Sequence, residues 1–157
     1  MWWSDRLAIV VLPLMVAACG FTPAYGPGAP AVALQGTVAV EGGETVFDYR
    51  LRTALEDRLG QGSGSVLTFV ARMDDVQAAV TPDGTITRFN VTGEADWVLN
   101  DAAGAEVARG TASGFTSYLT TGSTVATDAA QRDAEERLAV VLADQIIARL
   151  LIAAGPG

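Results

Sequence analysis

Apolar positions in this chain switch between a spacing of two and a spacing near four, and each switch marks an element. Leu34 to Val40 (LQGTVAV) is β-rich and reads as the first strand, which Gly42-Gly43 breaks. Thr45-Val46-Phe47-Asp48 has the spacing of a capping box, with Asp in place of the usual Glu or Gln. Phe47, Leu51, Ala54 and Leu55 follow on one helical stripe, with Arg50, Glu56 and Asp57 mainly away from it. Gly60 is expected to end that helix as a left-handed cap, with a flexible loop from Gln61 to Gly64. Ser65 to Arg72 (SVLTFVAR) predicts a second strand, with an irregular continuation toward Val80. Pro82-Asp83-Gly84 then predicts a turn, because Pro presets φ and Gly accepts a positive φ.

The clearest strand follows. Phe89, Val91, Gly93, Ala95, Trp97 and Leu99 alternate with Arg88, Asn90, Thr92, Glu94 and Asp96, so one face is apolar and the other wet. Asn100 to Gly104 closes a hairpin, and Val107 to Leu119 returns as the fourth strand, with Gly110 and Gly114 as bulges or close-contact points. Trp97 belongs to the apolar set, and its indole N–H would need a partner. Phe115 and Tyr118 fall on opposite faces, so one of them should be exposed as an interface aromatic.

The last element is the longest. Asp128 is its expected cap, with Gln131 as the box partner. Asp128–Arg132, Arg132–Glu136 and Asp133–Arg137 have the spacing of helical ion pairs. Ala130, Ala134, Leu138, Val141 and Leu142 form the expected buried stripe. Beyond Leu138 only Asp144, Gln145 and Arg149 interrupt an apolar run, the profile of a helix sunk in a core or pressed on a partner. The expected class is α+β, in the order β-α-β-β-β-α. It forms a two-layer sandwich, with two helices packed on one face of a four-stranded, mainly antiparallel sheet and the other face polar.

The N-terminus adds an address. Arg6, the apolar stretch Leu7 to Val16 and the small trio Val16-Ala17-Ala18 read as an export leader. The stretch is shorter than the ~20 apolar residues that span a bilayer, and Pro13 interrupts it. Cys19, the one cysteine, follows at once, an arrangement that resembles the bacterial lipobox. That resemblance implies cleavage between Ala18 and Cys19 and acylation of the Cys19 thiol. Gly20 to Pro30 (GFTPAYGPGAP) reads as an extended tether. The expected organisation is a signal peptide over 1–18, a lipidated tether over 19–33 and one α+β domain over 34–157.

Composition narrows the chemistry. A formal charge of −8 argues against nucleic acid as a partner and against a broad grip on anionic head groups. All the basic residues are arginines, so a local anion site would use bidentate guanidinium geometry. Arg88 and Arg109, on or near the exposed strands, are the candidates for such contacts, against the plainer reading of solvated strand arginines. The chain has no histidine, which removes Ser-His and Cys-His pairs and His-ligated zinc. Gly60 to Gly64 lacks the Gly-Lys-Ser/Thr ending of a phosphate loop. Asp74-Asp75 reads as a surface turn rather than a metal site, since adjacent strand carboxylates diverge. No enzyme, metal or cofactor is expected.

The octapeptide Cys19-Gly20-Phe21-Thr22-Pro23-Ala24-Tyr25-Gly26 resembles the start of mature members of the LptE family. The element order and the acidic-and-arginine opening of the last helix, Asp128 to Leu138, are similar to the same family. The resemblance implies an outer-membrane lipoprotein, facing the periplasm, that plugs the LptD β-barrel and assists its assembly and lipopolysaccharide passage. Gly20 after the cysteine fits outer-membrane sorting. Some family members bind lipopolysaccharide through basic residues; the absence of lysine and the negative charge leave that transfer open here. An auxiliary lipoprotein of an ABC-type lipid transporter is the alternative.

Overall fold

The computed structural model describes residues 34–120 and 122–154, and the expected leader, the Ala18–Cys19 cleavage site, the Cys19 anchor and the 19–33 tether lie outside them. The described residues form strand β1 (Val38–Gly42), helix α1 (Val46–Leu59), strands β2 (Ser65–Val80), β3 (Ile86–Asn100) and β4 (Glu106–Leu119), and helix α2 (Thr124–Ala154). The strands pair in the order β1-β2-β3-β4. β1 is parallel to β2, and the other pairs are antiparallel. The expected α+β sandwich is what forms, with one parallel pair.

β1 starts and ends later than the hydrophobic run suggested. Residues before it are spent on a turn that ties to α1: Gly36 N–H donates to the Leu59 carbonyl at 2.7 Å, and Thr37 Oγ1 to the Leu34 carbonyl at 3.1 Å. Pairing then runs on through Glu41↔Thr68 and Gly42↔Phe69.

The capping box of α1 forms as its sequence demands. Asp48 N–H donates to Thr45 Oγ1 at 3.1 Å, and Asp48 Oδ2 accepts from Thr45 N–H at 3.0 Å. Thr45→Ala should therefore cost about 1 kcal/mol, and up to about 2, read as a lower urea midpoint with an unchanged slope. Thr45→Ser, which keeps the oxygen, should restore most of it. Gly60 does end the helix, at φ +72°, but with an extended ψ of 174° rather than a left-handed cap, because the chain leaves directly toward β2.

Both hairpins use one construction. In each, the first loop residue donates to the far side, Thr81 N–H to Thr85 O and Asp101 N–H to Ala105 O at 2.9 and 2.8 Å, and its carbonyl accepts from the loop glycine, Gly84 or Gly104, at 2.9 Å. Gly84 and Gly104 sit at φ +86° and +84°, where a side chain would be strained. The Pro82-Asp83-Gly84 and Asn100–Gly104 signals were both legible.

α2 begins four residues before the expected Asp128 cap. Thr127 N–H donates to the Ser123 carbonyl at 3.0 Å, so the β-branched Thr124-Val125 pair is drawn into the first turn. Of the three expected ion pairs, Asp133–Arg137 closes, at 3.3 Å. Ala134, Leu138, Ala139, Leu142, Ala143, Ile146 and Leu150 bury, whereas Val141 stays on the rim. Val141 instead covers the backbone of Gly114, whose added Cβ would lie 3.1 Å from its Cγ1. Gly110 and Gly114 are thus close-contact points, the first under the Trp97 ring; the β3–β4 register shifts only between Leu99 and Asn100.

The core lies between the helices and the strand set Val38, Leu67, Phe69, Val91, Ala95, Trp97, Leu99 and Ala112. Trp97 Nε1 is buried there without a hydrogen-bond partner. α1 and α2 both run antiparallel to the strands before them and so parallel to each other. Arg50, which the helical stripe placed away from the core, reaches across to Glu135, and Arg58 reaches Asp144 at 2.5 Å. The helices cover unequal lengths: 14 residues of α1 span about 21 Å, while 16 residues of β2 span about 53 Å. The far half of β2 therefore emerges from under α1, and Asp75 and Gln77 are exposed on the helix side.

Candidate functional site: the uncovered sheet face

Alternation sets the composition of the face without helices. Opposite residues in the register share a side, so the rows Arg72–Glu94–Ser113, Val70–Asp96–Thr111 and Asp74–Thr92–Phe115 all point away from the helices. Arg72 is the hub of the charged half. Its Nη2 lies 2.7 Å from Asp96 Oδ2 and 3.4 Å from Glu94 Oε1. Thr111 Oγ1 donates to Asp96 Oδ1 at 2.7 Å. The Thr111 hydroxyl first, and Arg72 second, hold the Asp96 carboxyl below its ordinary value. A shallow trough of about 700 Å³ crosses this region, lined by Arg72, Asp74, Thr92, Glu94, Ser113 and Phe115.

The face is not uniformly polar. Val70, Val76, Phe115 and Leu119 are exposed, Phe115 at 67%, while Tyr118 on the opposite side is only 8% exposed. Phe115 is the exposed aromatic that the alternation demanded. Two of these four, Val76 and Leu119, lie toward the β2–β3 hairpin near Arg88, whose cross-strand neighbours are Ala79 and Leu119, while Phe115 lines the trough.

Both candidate arginines lie on this open face, but the fold does not bring them together. Arg109 stands opposite Val98, ten residues from Arg88 along β3, or about 33 Å. It forks onto Glu106, with Nε 2.6 Å from Oε1 and Nη2 on Oε2. The Arg109 hydrogen bonds hold Glu106 below its usual range. Arg109 is thus neutralised locally, and Arg88 is exposed between apolar neighbours. Sequence spacing gave no signal for that distinction, because Glu106 and Arg109 meet only as an i, i+3 pair on a strand bent by the register shift beside it.

Asp74 and Asp75 lie within β2 rather than in a turn. They diverge, as strand neighbours must: Asp74 joins the open face, and Asp75 accepts from Tyr118 OH at 2.7 Å on the helix side. Tyr118 also stacks on Phe89, centroids 5.4 Å apart. Burial first, then the Asp75 carboxylate, push the Tyr118 phenol far above its ordinary value of 10. A raised native value means that stability is complete below pH 10 and falls as pH rises, by about 1.4 kcal/mol per unit while only the unfolded chain ionises. The chain has no lysine or histidine. Its unfolding midpoint should therefore stay level from about pH 6 to 9 and drop above pH 10. Tyr118→Phe should flatten that alkaline drop while losing about 1 kcal/mol at neutral pH, measured by urea titration across pH.

No helix among the described residues is long and apolar enough to cross a membrane. The family model described as LptE, lipopolysaccharide-assembly, matches residues 35–150. No curated protein matches the chain. Among solved structures, one from Caulobacter crescentus, assigned as a lipoprotein, superposes with a TM-score of 0.67 at 27% identity, covering 82% of this chain and 98% of that one. Rare lipoprotein B from Shewanella oneidensis superposes at 0.55 with 11% identity, covering 73% and 92%. Lipoprotein B from Nitrosomonas europaea gives 0.54 with 14% identity, covering 72% and 80%; these last two show the shared fold.

Proposed function

Since the chain belongs to the LptE family of lipopolysaccharide-assembly proteins, we propose that it is an outer-membrane lipoprotein that seats in an LptD-type β-barrel as a plug and assists its assembly. In this reading the Cys19 thiol carries the lipid anchor after cleavage behind Ala18, and residues 19–33 let the folded body stand off from the membrane. The domain faces the periplasm.

The observation that carries the plug reading is the uncovered sheet face. One side of the sheet carries the helices over most of its length, and the other presents hydroxyls, carboxylates and the Arg72–Glu94–Asp96 network. A barrel lumen is polar, and such a face can exchange its water for lumen hydrogen bonds without stranding buried charge. Phe115 adds a rigid apolar anchor of the kind that dominates interfaces. Lipid phosphate is the proposed contact for Arg88, whose cross-strand neighbours Ala79 and Leu119 are apolar; Arg109, already paired to Glu106, is the weaker candidate.

The test is recovery of partners from detergent-solubilised envelope membranes with the tagged full chain. A β-barrel protein should co-purify, and Phe115→Asp should reduce its yield severalfold while the isolated domain keeps its unfolding midpoint. Recovery of an inner-membrane ABC transporter instead, with no barrel, would overturn the plug reading. Mass spectrometry of the mature N-terminus should find Cys19 acylated; a free thiol there would remove the anchor.

A further inference from the structure

β4 is an edge strand, and its sequence makes the edge hazardous. From Gly110 to Leu119 (GTASGFTSYL) there is neither a charge nor a proline. Natural edges are usually blunted by one or the other, because a bare strand templates pairing with another chain. In an antiparallel pair alternate residues turn their N–H and C=O outward. Ser113 and Ser117 belong to the outward set, since helix side chains reach their backbone.

Gln145 Nε2 donates to the Ser113 carbonyl at 2.9 Å, and Ser113 N–H donates to Gln145 Oε1 at 3.4 Å. One amide thus makes the same two bonds that a residue on a neighbouring strand would make. Two turns earlier on α2, Arg137 Nη2 donates to the Ser117 carbonyl at 3.2 Å. Thr116 Oγ1 donates to the Ala134 carbonyl at 2.7 Å and holds the helix close to the strand. Gln145 lies in a stretch of α2 where nearly every other residue is apolar, so its amide serves no general solubility purpose.

We propose that Gln145 and Arg137 are edge guards, which close β4 against strand pairing with a second copy of this chain. The edge is self-complementary. Two antiparallel copies centred on Ser113 would set Phe115 opposite Thr111 and Ser117 opposite Arg109, with no like charges facing. Pairing would then extend the sheet across the two-fold axis, with both open faces on one side.

The test compares the full mature chain in detergent, wild type against Gln145→Ala/Arg137→Ala, by sedimentation velocity over a concentration series, with amide exchange at Ser113. The double variant should expose the Ser113 amide at low concentration and self-associate at least about tenfold more tightly, the factor that one charge-free hydrogen bond carries. Adding Ser113→Pro, which removes the outward N–H, should abolish that gain. Unchanged exchange at Ser113 would show that Gln145 guards nothing. Faster exchange with unchanged sedimentation would show that the open edge does not pair, and either result overturns the proposal. If the double variant loses its circular dichroism signal, Gln145→Met is the substitute, since it keeps the side-chain length but neither donates to the Ser113 carbonyl nor offers an oxygen to its N–H. It must then show the same two changes in smaller measure, and their absence counts equally against the guards.

Discussion

Leu142→Ala should destabilise the domain by about 2–5 kcal/mol, a large fraction of what a domain of this size possesses. Leu142 is fully buried, and its Cδ1 lies 3.4 Å from where a side chain on Gly93 would begin. The glycine lets α2 lie close on the middle of β3, so Leu142 and Leu138 fill the space that a strand side chain would otherwise occupy. Truncation leaves a cavity with a rigid strand backbone as its floor, which cannot collapse to fill it. Urea unfolding should show the loss as a shifted midpoint. Leu142→Met, which keeps the volume, should cost less than about 1.5 kcal/mol. Equal losses for the two variants would contradict close packing at this point.

Gly62→Ala should cost about 1–3 kcal/mol or more, although the residue lies in a loop with no side-chain contacts of its own to lose. An added Cβ would sit 2.4 Å from Val38 N and 2.5 Å from the Thr37 carbonyl carbon. Both are backbone atoms held by hydrogen bonds: Gly64 N–H and Ser65 N–H each donate to the Thr37 carbonyl at 2.9 Å. Neither side can yield without detaching β1 from the start of β2. Amide exchange should therefore locate the damage in β1, with the β3–β4 hairpin protected as before. Gly122→Ala is the control, because an added methyl there meets nothing within 4 Å; it should change stability by no more than a few tenths of a kcal/mol, roughly. Similar losses at both positions would point to a general intolerance of loops and away from the contact at Val38.

These variants also mark where sequence reasoning ran out. The alternation from Phe89 to Leu99 fixed β3 and its buried face, because a period of two has one solution once one side is buried. The capping box at Thr45 and both hairpin turns were equally plain, since their chemistry is local. Gly60 to Gly64 looked flexible because glycine permits both mobility and close approach, and only the presence of Thr37 and Val38 decides between them. The start of α2 was missed for a related reason: Thr124 and Val125 favour strands, and Ser123 supplies the local bonds that override the preference. Arg50 and Arg58 carry no local sign of their partners, which lie 85 and 86 residues away. The open face was legible as a pattern, but the division between the Arg72 network and the apolar neighbourhood of Arg88 depended on register across three strands.

The strand order has a consequence for how the chain gets built. Every strand pairs with the one just before it, so no segment must wait for a distant successor before finding its neighbour. Short closures carry little entropy, and the meander from β2 to β4 can assemble in the order in which it emerges. The ties that span the chain are the two bridges from α1 to α2. Both need residues of α2, so they can form only after the sequence of the whole meander has emerged, and a chain cut short before Glu135 would lack both.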